Sequence, residues 1–407
     1  MRRVAVTGLG SVSALGENTA TAWSNLMNGV CGIAEETISE PGLEGMDFSL
    51  PLARIKDDPV PKLRERFGPR QINSVDPFAN LAAVATAEAL ADAGIEIGNP
   101  ALRDAAILYA TTSGGLVTLN QEYNQLFIKR RSSLHPLTVP RIMGSAGVSH
   151  ISILFGIQGL AYALSSACAS SAHAVSEGMH LIRSGRADMV ITGGSDASLT
   201  YGSLRAWESL QALSPTACRP FSAERDGTAV GEGAATLILE DMESAQKRGA
   251  RIYAEIAGSG ATSDAAHITK PNTERAAAAV KAAHRDAGLD VNEPILLSAH
   301  GTGTILNDRT EAEVFRNVYG DSLNHNRVIA TKSSHGHMLG ATGAMEFLLA
   351  ILAIYKKQAP AILNYIRPDE ECRLPLVLKA EGIDFRAAMS TSFAFGGLNC
   401  ALVAKLV

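Results

Sequence analysis

Ten apolar runs of strand length recur along this chain of 407 residues, separated by longer stretches of helical period, and they fall into two series of five. Val4–Thr7, Ala106–Ala110, Ala161–Ser165, Met189–Thr192 and Ala235–Leu239 form the first series. Arg251–Ala257, Ile295–Ala299, Val328–Thr331, Ala388–Ser392 and Cys400–Ala404 form the second. Strands alternating with helices predict an α/β chain of mainly parallel sheets with helices on their faces. The restart predicts a duplicated unit, and a short echo supports it. Ala91-Asp92-Ala93-Gly94 closes one Ala-rich helix and Arg285-Asp286-Ala287-Gly288 another, each with Gly at the helix end and a strand soon after. We divide the chain at 1–245 and 246–407. If the halves are equivalent, Cys168 follows the third strand of one and His337 the third strand of the other, so the two face each other across a pseudo-twofold axis.

Composition narrows the class. Hydrophobic residues at 46%, charged residues at 19% and 37 Gly describe an enzyme-like α/β chain with a large core. A net charge of −5 argues against general nucleic-acid binding, so an acidic partner would need a local basic patch. Two exist, Lys62-Arg64-Arg66 with Arg70, and Lys129-Arg130-Arg131, although charge runs are usually solvated surface. Met1-Arg-Arg-Val-Ala-Val-Thr-Gly8 is broken by glycine too early for a signal-peptide core, and Phe347–Tyr355 is too short for a membrane span and reads as a buried helix. Five unpaired-looking cysteines fit neither a disulfide framework nor a zinc site, and a reducing cytoplasm is the simplest compartment. Thr7-Gly8-Leu9-Gly10-Ser11-Val12-Ser13 matches half of a dinucleotide fingerprint but has Ser13 at the third glycine, so it reads as a structural strand-to-helix turn.

The reactive candidates sit at strand ends. Tyr162-Ala-Leu-Ser-Ser-Ala-Cys168-Ala-Ser-Ser-Ala-His173 reads as strand, sharp turn and helix. Small neighbours allow a tight bend, and the helix start lowers a thiol's pKa by favouring the anion; the bland alternative is a buried, inert cysteine. Ser298-Ala-His300-Gly-Thr302-Gly-Thr304 delivers a histidine into a Gly/Thr loop, and Thr331-Lys332-Ser-Ser-His335-Gly-His337 precedes another small-residue helix start. His335 and His337 lack a third ligand at a recognisable spacing, so no metal is expected. A cysteine with two histidines points to acyl transfer through a thioester.

These segments resemble the β-ketoacyl-acyl carrier protein synthases of the elongating, synthase II-like type, condensing enzymes of the thiolase superfamily. The resemblance is carried by the Cys168 elbow, Arg219-Pro-Phe, Arg225-Asp-Gly with Gly231-Glu-Gly-Ala, His300-Gly-Thr-Gly-Thr, Thr331-Lys332-Ser, Gly336-His337 and Ser392-Phe-Ala-Phe395-Gly-Gly-Leu-Asn399. It implies a duplicated thiolase-like α-β-α-β-α fold of five layers. It implies Cys168 as nucleophile, and His300 and His337 as the pair that promotes decarboxylation of malonyl-carrier protein. By the same resemblance Lys332 pairs with Glu346 to organise the site, Glu311 is structural, and Thr302 and Thr304 hold the pantetheine amides. Phe395 becomes a gate whose N–H joins that of Cys168 in an oxyanion hole. No cofactor is implied, because substrates ride on the phosphopantetheine of acyl carrier protein. An acidic carrier makes Lys62, Arg64, Arg66, Lys129, Arg130 and Arg205 docking candidates, and the family's habit implies a homodimer. His335 receives no role, and Arg219, Asp226 and Glu232 read as a structural ion network.

Some positions depart from the housekeeping pattern. Ala394 and Leu398 stand in the closing loop where Gly and Thr are usual, and Ser113 stands where a larger apolar residue lines the acyl pocket. Gly193-Gly-Ser-Asp196 and Arg205-Ala-Trp207-Glu look similar to ketosynthases that build unsaturated chains for nodulation signals, implying a specialised acyl or polyene product. One alternative is a subunit of a heterodimer with a chain-length factor; such factors themselves typically lose the nucleophile. Another is a coenzyme A-dependent thiolase, which needs a second reactive cysteine near the C-terminus, a placement Cys400 does not match.

Overall fold

The computed structural model describes residues 1–407. All ten strands are present: β1 (Val4–Ser13), β2 (Ala106–Ala110), β3 (Ala161–Leu164), β4 (Met189–Asp196), β5 (Gly233–Asp241), β6 (Ala254–Ser263), β7 (Leu296–Ser298), β8 (Arg327–Ile329), β9 (Ala387–Ala394) and β10 (Leu398–Lys405). They form one ladder in the order β8-β7-β9-β10-β6-β1-β5-β4-β2-β3. The ladder is thinnest at its centre, where β1 and β6 share only the pairs Ala5 with Glu255 and Val6 with Ala254. On each side of that seam the order is the same: third strand, second, fourth, fifth, first. Duplication is thus written in the topology.

The expectation of mainly parallel sheets needs correcting. In each half the second strand runs parallel to the third and fourth, but the fifth is antiparallel to the fourth and the first. Parallel neighbours need a crossover that returns the chain to the starting end. Between β9 and β10 there is only Phe395-Gly396-Gly397, with both glycines at positive φ, so the chain doubles straight back as a hairpin.

Six helices matter for the site: α1 (Pro77–Asp92), α2 (Ser170–Arg183), α3 (Tyr201–Ser209), α4 (Thr273–Ala287), α5 (Ile305–Tyr319) and α6 (Thr342–Lys356). Helix α1 covers the outer face of the first half, and α4 with α5 that of the second; α2 and α6 pack together between the two halves of the ladder. The five layers are therefore α, β, α, β, α. The middle position explains why α6 is apolar all round: every residue from Thr342 to Ile354 is buried. Leu339–Lys356 is long and apolar enough to cross a membrane, but 89% of it is buried inside the protein.

The Gly8–Ser13 stretch is no turn, because β1 runs straight through it. Its glycines serve close packing. A Cβ on Gly10 would lie 2.0 Å from the Ala85 carbonyl oxygen of α1, and one on Gly260 in β6 would lie 2.1 Å from the Ala279 carbonyl oxygen of α4. Each half thus seats its outer helix on a Gly-x-Gly in its first strand, a second echo of the duplication.

Candidate active site

The elbow after β3 is strained. Ala167 holds φ 51°, a left-handed backbone that a residue with a Cβ adopts only when its surroundings compel it. Ser170 Oγ accepts the Ser166 N–H at 2.8 Å and donates to the Ala167 carbonyl at 2.6 Å, tying the bend. Cys168 sits at its apex, 6% exposed. Two glycines let the opposing helix starts approach it: a Cβ on Gly194 would meet Ser171 Cβ at 2.8 Å, and one on Gly343 in α6 would meet Ala172 Cβ at 2.9 Å. His337 lies just before α6, held by its own N–H to the Ala229 carbonyl at 2.7 Å and by the Gly231 N–H to its carbonyl at 2.8 Å. The pseudo-twofold arrangement therefore brings Cys168 and His337 into contact.

His337 Nε2 is 3.0 Å from Cys168 Sγ, and its Nδ1 is 3.0 Å from Thr342 Oγ1. The His300 ring stands 5.7 Å from the His337 ring at an interplanar angle of 89°. Behind His300 lies Lys332, fully buried, with its ammonium 2.8 Å from both Glu346 oxygens, 3.2 Å from His300 Nδ1 and in contact with the His300 carbonyl. Lysine is a donor only, so His300 Nδ1 accepts and its proton resides on Nε2. Burial, with Lys332 adding to it, holds both imidazoles well below the usual histidine range, so they are neutral at pH 7. Burial pushes the Glu346 carboxyl up while the Lys332 ammonium opposes it.

The thiol departs from expectation. Burial pushes Cys168 up to about 11, opposed by Lys332 and by the backbone N–H groups of Phe395 and Cys168, which face the sulfur. Desolvation outweighs the favourable helix start, and the thiol needs a neighbouring base. His337 is in place to be one.

Supporting groups fix the loops. Glu311, raised to about 7 by burial, accepts from the N–H groups of His300 and Gly301 at 2.7 and 2.8 Å and from Thr391 Oγ1 at 2.7 Å. Asp196 accepts from the Thr111 hydroxyl at 2.7 Å and the Gly340 N–H at 2.7 Å, joining the two halves. Asp264 accepts from Asn399 Nδ2 at 2.7 Å, and its N–H donates to the Gly397 carbonyl at 2.9 Å, anchoring the loop that carries Phe395. Sequence reading assigned no role to Asp196, Asp264 and Trp207, whose partners are distant along the chain, nor to Thr342, which is only five residues from His337 but reads as an ordinary small residue of a helix start.

A cleft of about 340 Å³ opens onto the cysteine, lined by Cys168, His300, Thr302, Thr304, His337 and Phe395 among others. Thr302 and Thr304 share a hydroxyl hydrogen bond of 2.9 Å. The Trp207 ring lies 6.1 Å from that of Phe395 at the mouth. Lys332 and Glu346 lie behind the lining. Ser113 is exposed and does not line the cleft. Nor do Lys62, Arg64, Arg66, Lys129, Arg130 or Arg205; Lys270 is the basic residue at its wall. Arg205 is occupied elsewhere, with its guanidinium 3.7 Å over the Phe48 ring and 2.7 Å from Glu208. Arg64 pairs with Asp58 at 2.9 Å, whereas Lys62, Arg66, Lys129 and Arg130 are exposed. Arg219 and Asp226 approach to 3.7 Å, but Glu232 does not join them; it accepts the Ile55 N–H at 3.1 Å instead. No group of three or more His, Cys, Asp or Glu side chains is arranged to hold a metal ion.

Two family models match the chain: "Beta-ketoacyl synthase, N-terminal domain" over residues 1–245 and "Beta-ketoacyl synthase, C-terminal domain" over residues 253–366. Nodulation protein E of Rhizobium leguminosarum bv. trifolii is 36% identical over 407 residues, covering 100% of both chains. The 3-oxoacyl-[acyl-carrier-protein] synthase 2 of Staphylococcus aureus (strain N315) is 35% identical, covering 99% of this chain and 98% of its own. Among solved structures, the ishigamide ketosynthase/chain length factor superposes with a TM-score of 0.92 at 32% identity, covering 100% of this chain and 99% of that one.

Proposed function

The chain belongs to the β-ketoacyl synthase family, and from that premise we propose that it condenses an acyl chain held on Cys168 with malonyl-acyl carrier protein, releasing CO2 and a β-ketoacyl-carrier product. One observation carries the assignment of roles: Cys168 Sγ lies 3.0 Å from His337 Nε2, with a second neutral imidazole, His300, on the same cleft. In the first half-reaction the Cys168 proton passes to His337 as sulfur attacks the carrier thioester, and the departing pantetheine thiolate takes that proton. In the second, malonyl loses CO2 and negative charge gathers on the thioester oxygen. The His300 Nε2–H, held by Lys332 behind the ring, is aimed to stabilise that charge. The carbanion then attacks the Cys168 thioester, whose own oxygen is held by the N–H groups of Cys168 and Phe395; the carbon–sulfur bond breaks, the β-ketoacyl product stays on the carrier, and the released Cys168 thiolate takes a proton from solvent. Thr302 and Thr304 stand along the cleft where pantetheine amides would lie. In this reading the chain's own side chains and backbone N–H groups supply the chemistry, with no cofactor called for.

Acyl carrier protein is the partner, as the name of the Staphylococcus relative implies for that protein. The resemblance to nodulation protein E and to a ketosynthase/chain length factor supports a specialised acyl or polyene product made in the cytoplasm. Strand β3 ends the ladder and is flanked by exposed Ile153, Leu160 and Tyr162; a second subunit, either a copy of this chain or a chain-length-factor sister, pairs there. The thiolase alternative lacks support, since Cys400 is fully buried in β10 and does not line the cleft. Intact-mass spectrometry with a panel of acyl-carrier proteins tests the proposal. Acylation that disappears in Cys168→Ala, followed by a two-carbon-longer β-keto product on adding malonyl-carrier protein, is expected. A folded wild type that no acyl donor labels would refute a stand-alone enzyme.

A further inference from the structure

Three histidines crowd this site, and their partners differ in what they permit. His300 Nδ1 faces an ammonium and can only accept. His335 Nδ1 lies 2.7 Å from the Gly336 carbonyl and can only donate. His337 Nδ1 alone faces a hydroxyl, Thr342 Oγ1 at 3.0 Å, and a hydroxyl both donates and accepts. Thr342 is fully buried, and this is its side chain's sole hydrogen bond in the structure. We propose that Thr342 is the positioning residue that lets His337 serve both half-reactions, by accepting from Nδ1–H when Nε2 takes the thiol proton and donating to Nδ1 when Nε2–H faces the reacting oxygen.

The chemistry asks for both states. To receive the Cys168 proton, Nε2 must present a lone pair, so the ring's own proton must be on Nδ1. To stabilise an oxyanion, Nε2 must carry a proton. A carbonyl in Thr342's place would forbid the second state and a backbone N–H the first. The hydroxyl rotates to suit either at no cost in backbone position, and as acceptor it also stabilises the imidazolium formed while the proton is in transit.

The proposal rests on the Cys168–His337 pairing above, and the test separates the two. Cys168 is alkylated with iodoacetamide across pH and followed by peptide-resolved mass spectrometry, so that exposed Cys31 is counted apart. In that reaction sulfur bonds to the acetamide carbon, iodide leaves, and the thiol proton passes through His337 to solvent. The groups that act on the pair are His300, Lys332, His335 and Asp196; all are left unchanged. Thr342→Val keeps the shape and removes the hydroxyl; Thr342→Ser restores it. Alkylation at pH 7 is expected to fall about tenfold in Thr342→Val, the loss of one hydrogen bond to a charged ring, with its pH profile displaced upward and Thr342→Ser close to wild type. In a His337→Ala background, Thr342→Val is expected to change nothing further. A wild-type profile in Thr342→Val overturns the proposal, as does a Thr342→Ser protein as impaired as the valine variant. His337→Ala alkylating like wild type would instead remove the pairing itself.

Discussion

Replacing Glu346 by leucine tests the buried ion pair most directly, because it preserves volume while removing both oxygens that hold the Lys332 ammonium. In the structure that ammonium is fully buried, with two of its contacts at 2.8 Å to Glu346 and the others to His300. Breaking a buried pair from one side leaves an uncompensated charge and costs about 3–5 kcal/mol. At about 2.1 cal/mol/K of unfolding entropy per residue, a chain of 407 residues has about 0.85 kcal/mol/K. The loss then lowers Tm by about 4–6 °C by the same relation. The double variant Lys332→Met/Glu346→Leu replaces the pair with apolar groups and is expected to recover most of the stability, since matched hydrophobic replacements of buried pairs are often neutral. Activity should not recover. Without Lys332, nothing fixes the His300 Nδ1 as an acceptor, and losing an aligned oxyanion donor costs about 10²–10³-fold in rate. The assays are thermal melting and CO2 release from malonyl-carrier protein. A Glu346→Leu protein that melts with wild type would refute the energetic reasoning, and a double variant with full decarboxylation would refute the link from Lys332 to His300.

Three further expectations can be measured alongside. His150 is buried without a partner at Nε2, and burial lowers its pKa to about 4. Above pH 6.5 it is neutral folded or unfolded and contributes nothing; below, only the unfolded chain takes the proton, so by pH 5 the penalty is about 2 kcal/mol. His150→Gln should therefore lose less Tm than wild type between pH 7 and pH 5, and parallel losses would contradict this. Trp207→Ala removes the aromatic neighbour of Phe395, worth about 0.5–1.5 kcal/mol, and should raise Cys168 alkylation by roughly 2- to 10-fold; an equal rise in a Phe395→Ala background would show that the ring contact is not the cause. Gly10→Ala and Gly260→Ala each place a methyl about 2 Å from a helix carbonyl, so both should destabilise, by at least about 1–3 kcal/mol, and a tolerated change at either site would count against tight seating of α1 or α4.

Strand positions were legible because each contains a run of small or apolar residues, in most of them buried, and period and punctuation reveal such runs locally; β3, with no buried residue, is the exception. Their directions were not: Phe395-Gly396-Gly397 turns β10 straight back on β9, whereas β5 runs antiparallel to β4 after a long connection that carries α3, and neither direction is written in the strand's own residues. Gly8 and Gly10 show a different limit: the residues signal small volume, but whether that volume serves a turn or a helix seated on a strand depends on α1, more than seventy residues away. The matching Gly258 and Gly260 would have exposed the duplication more clearly than the helix-end echo. At the site, the strand-end placement of Cys168, His300 and His337 was readable. The thiol's environment was not, because its helix start is visible in sequence while the layers that bury it are assembled from both halves. Lysine and arginine runs were visible too, but Arg205 stacked on Phe48 and Arg64 paired with Asp58 illustrate how folding consumes charges that look free.

The meeting of Gly343 with Ala172 has a consequence for how such a protein can diversify. Since the starts of α2 and α6 touch there, neither the nucleophile nor its base can be moved alone: a bulkier residue at position 343 would spread both helices and widen the gap between Cys168 and His337 in a single step. The reactive centre is in this sense indivisible under mutation. Trp207, Ile268, Ile305 and Leu306 border the same cleft without being buried in the middle layer, and changes there leave that separation untouched. The entrance is therefore open to gradual substitution, whereas the chemistry at its floor is inherited whole or lost.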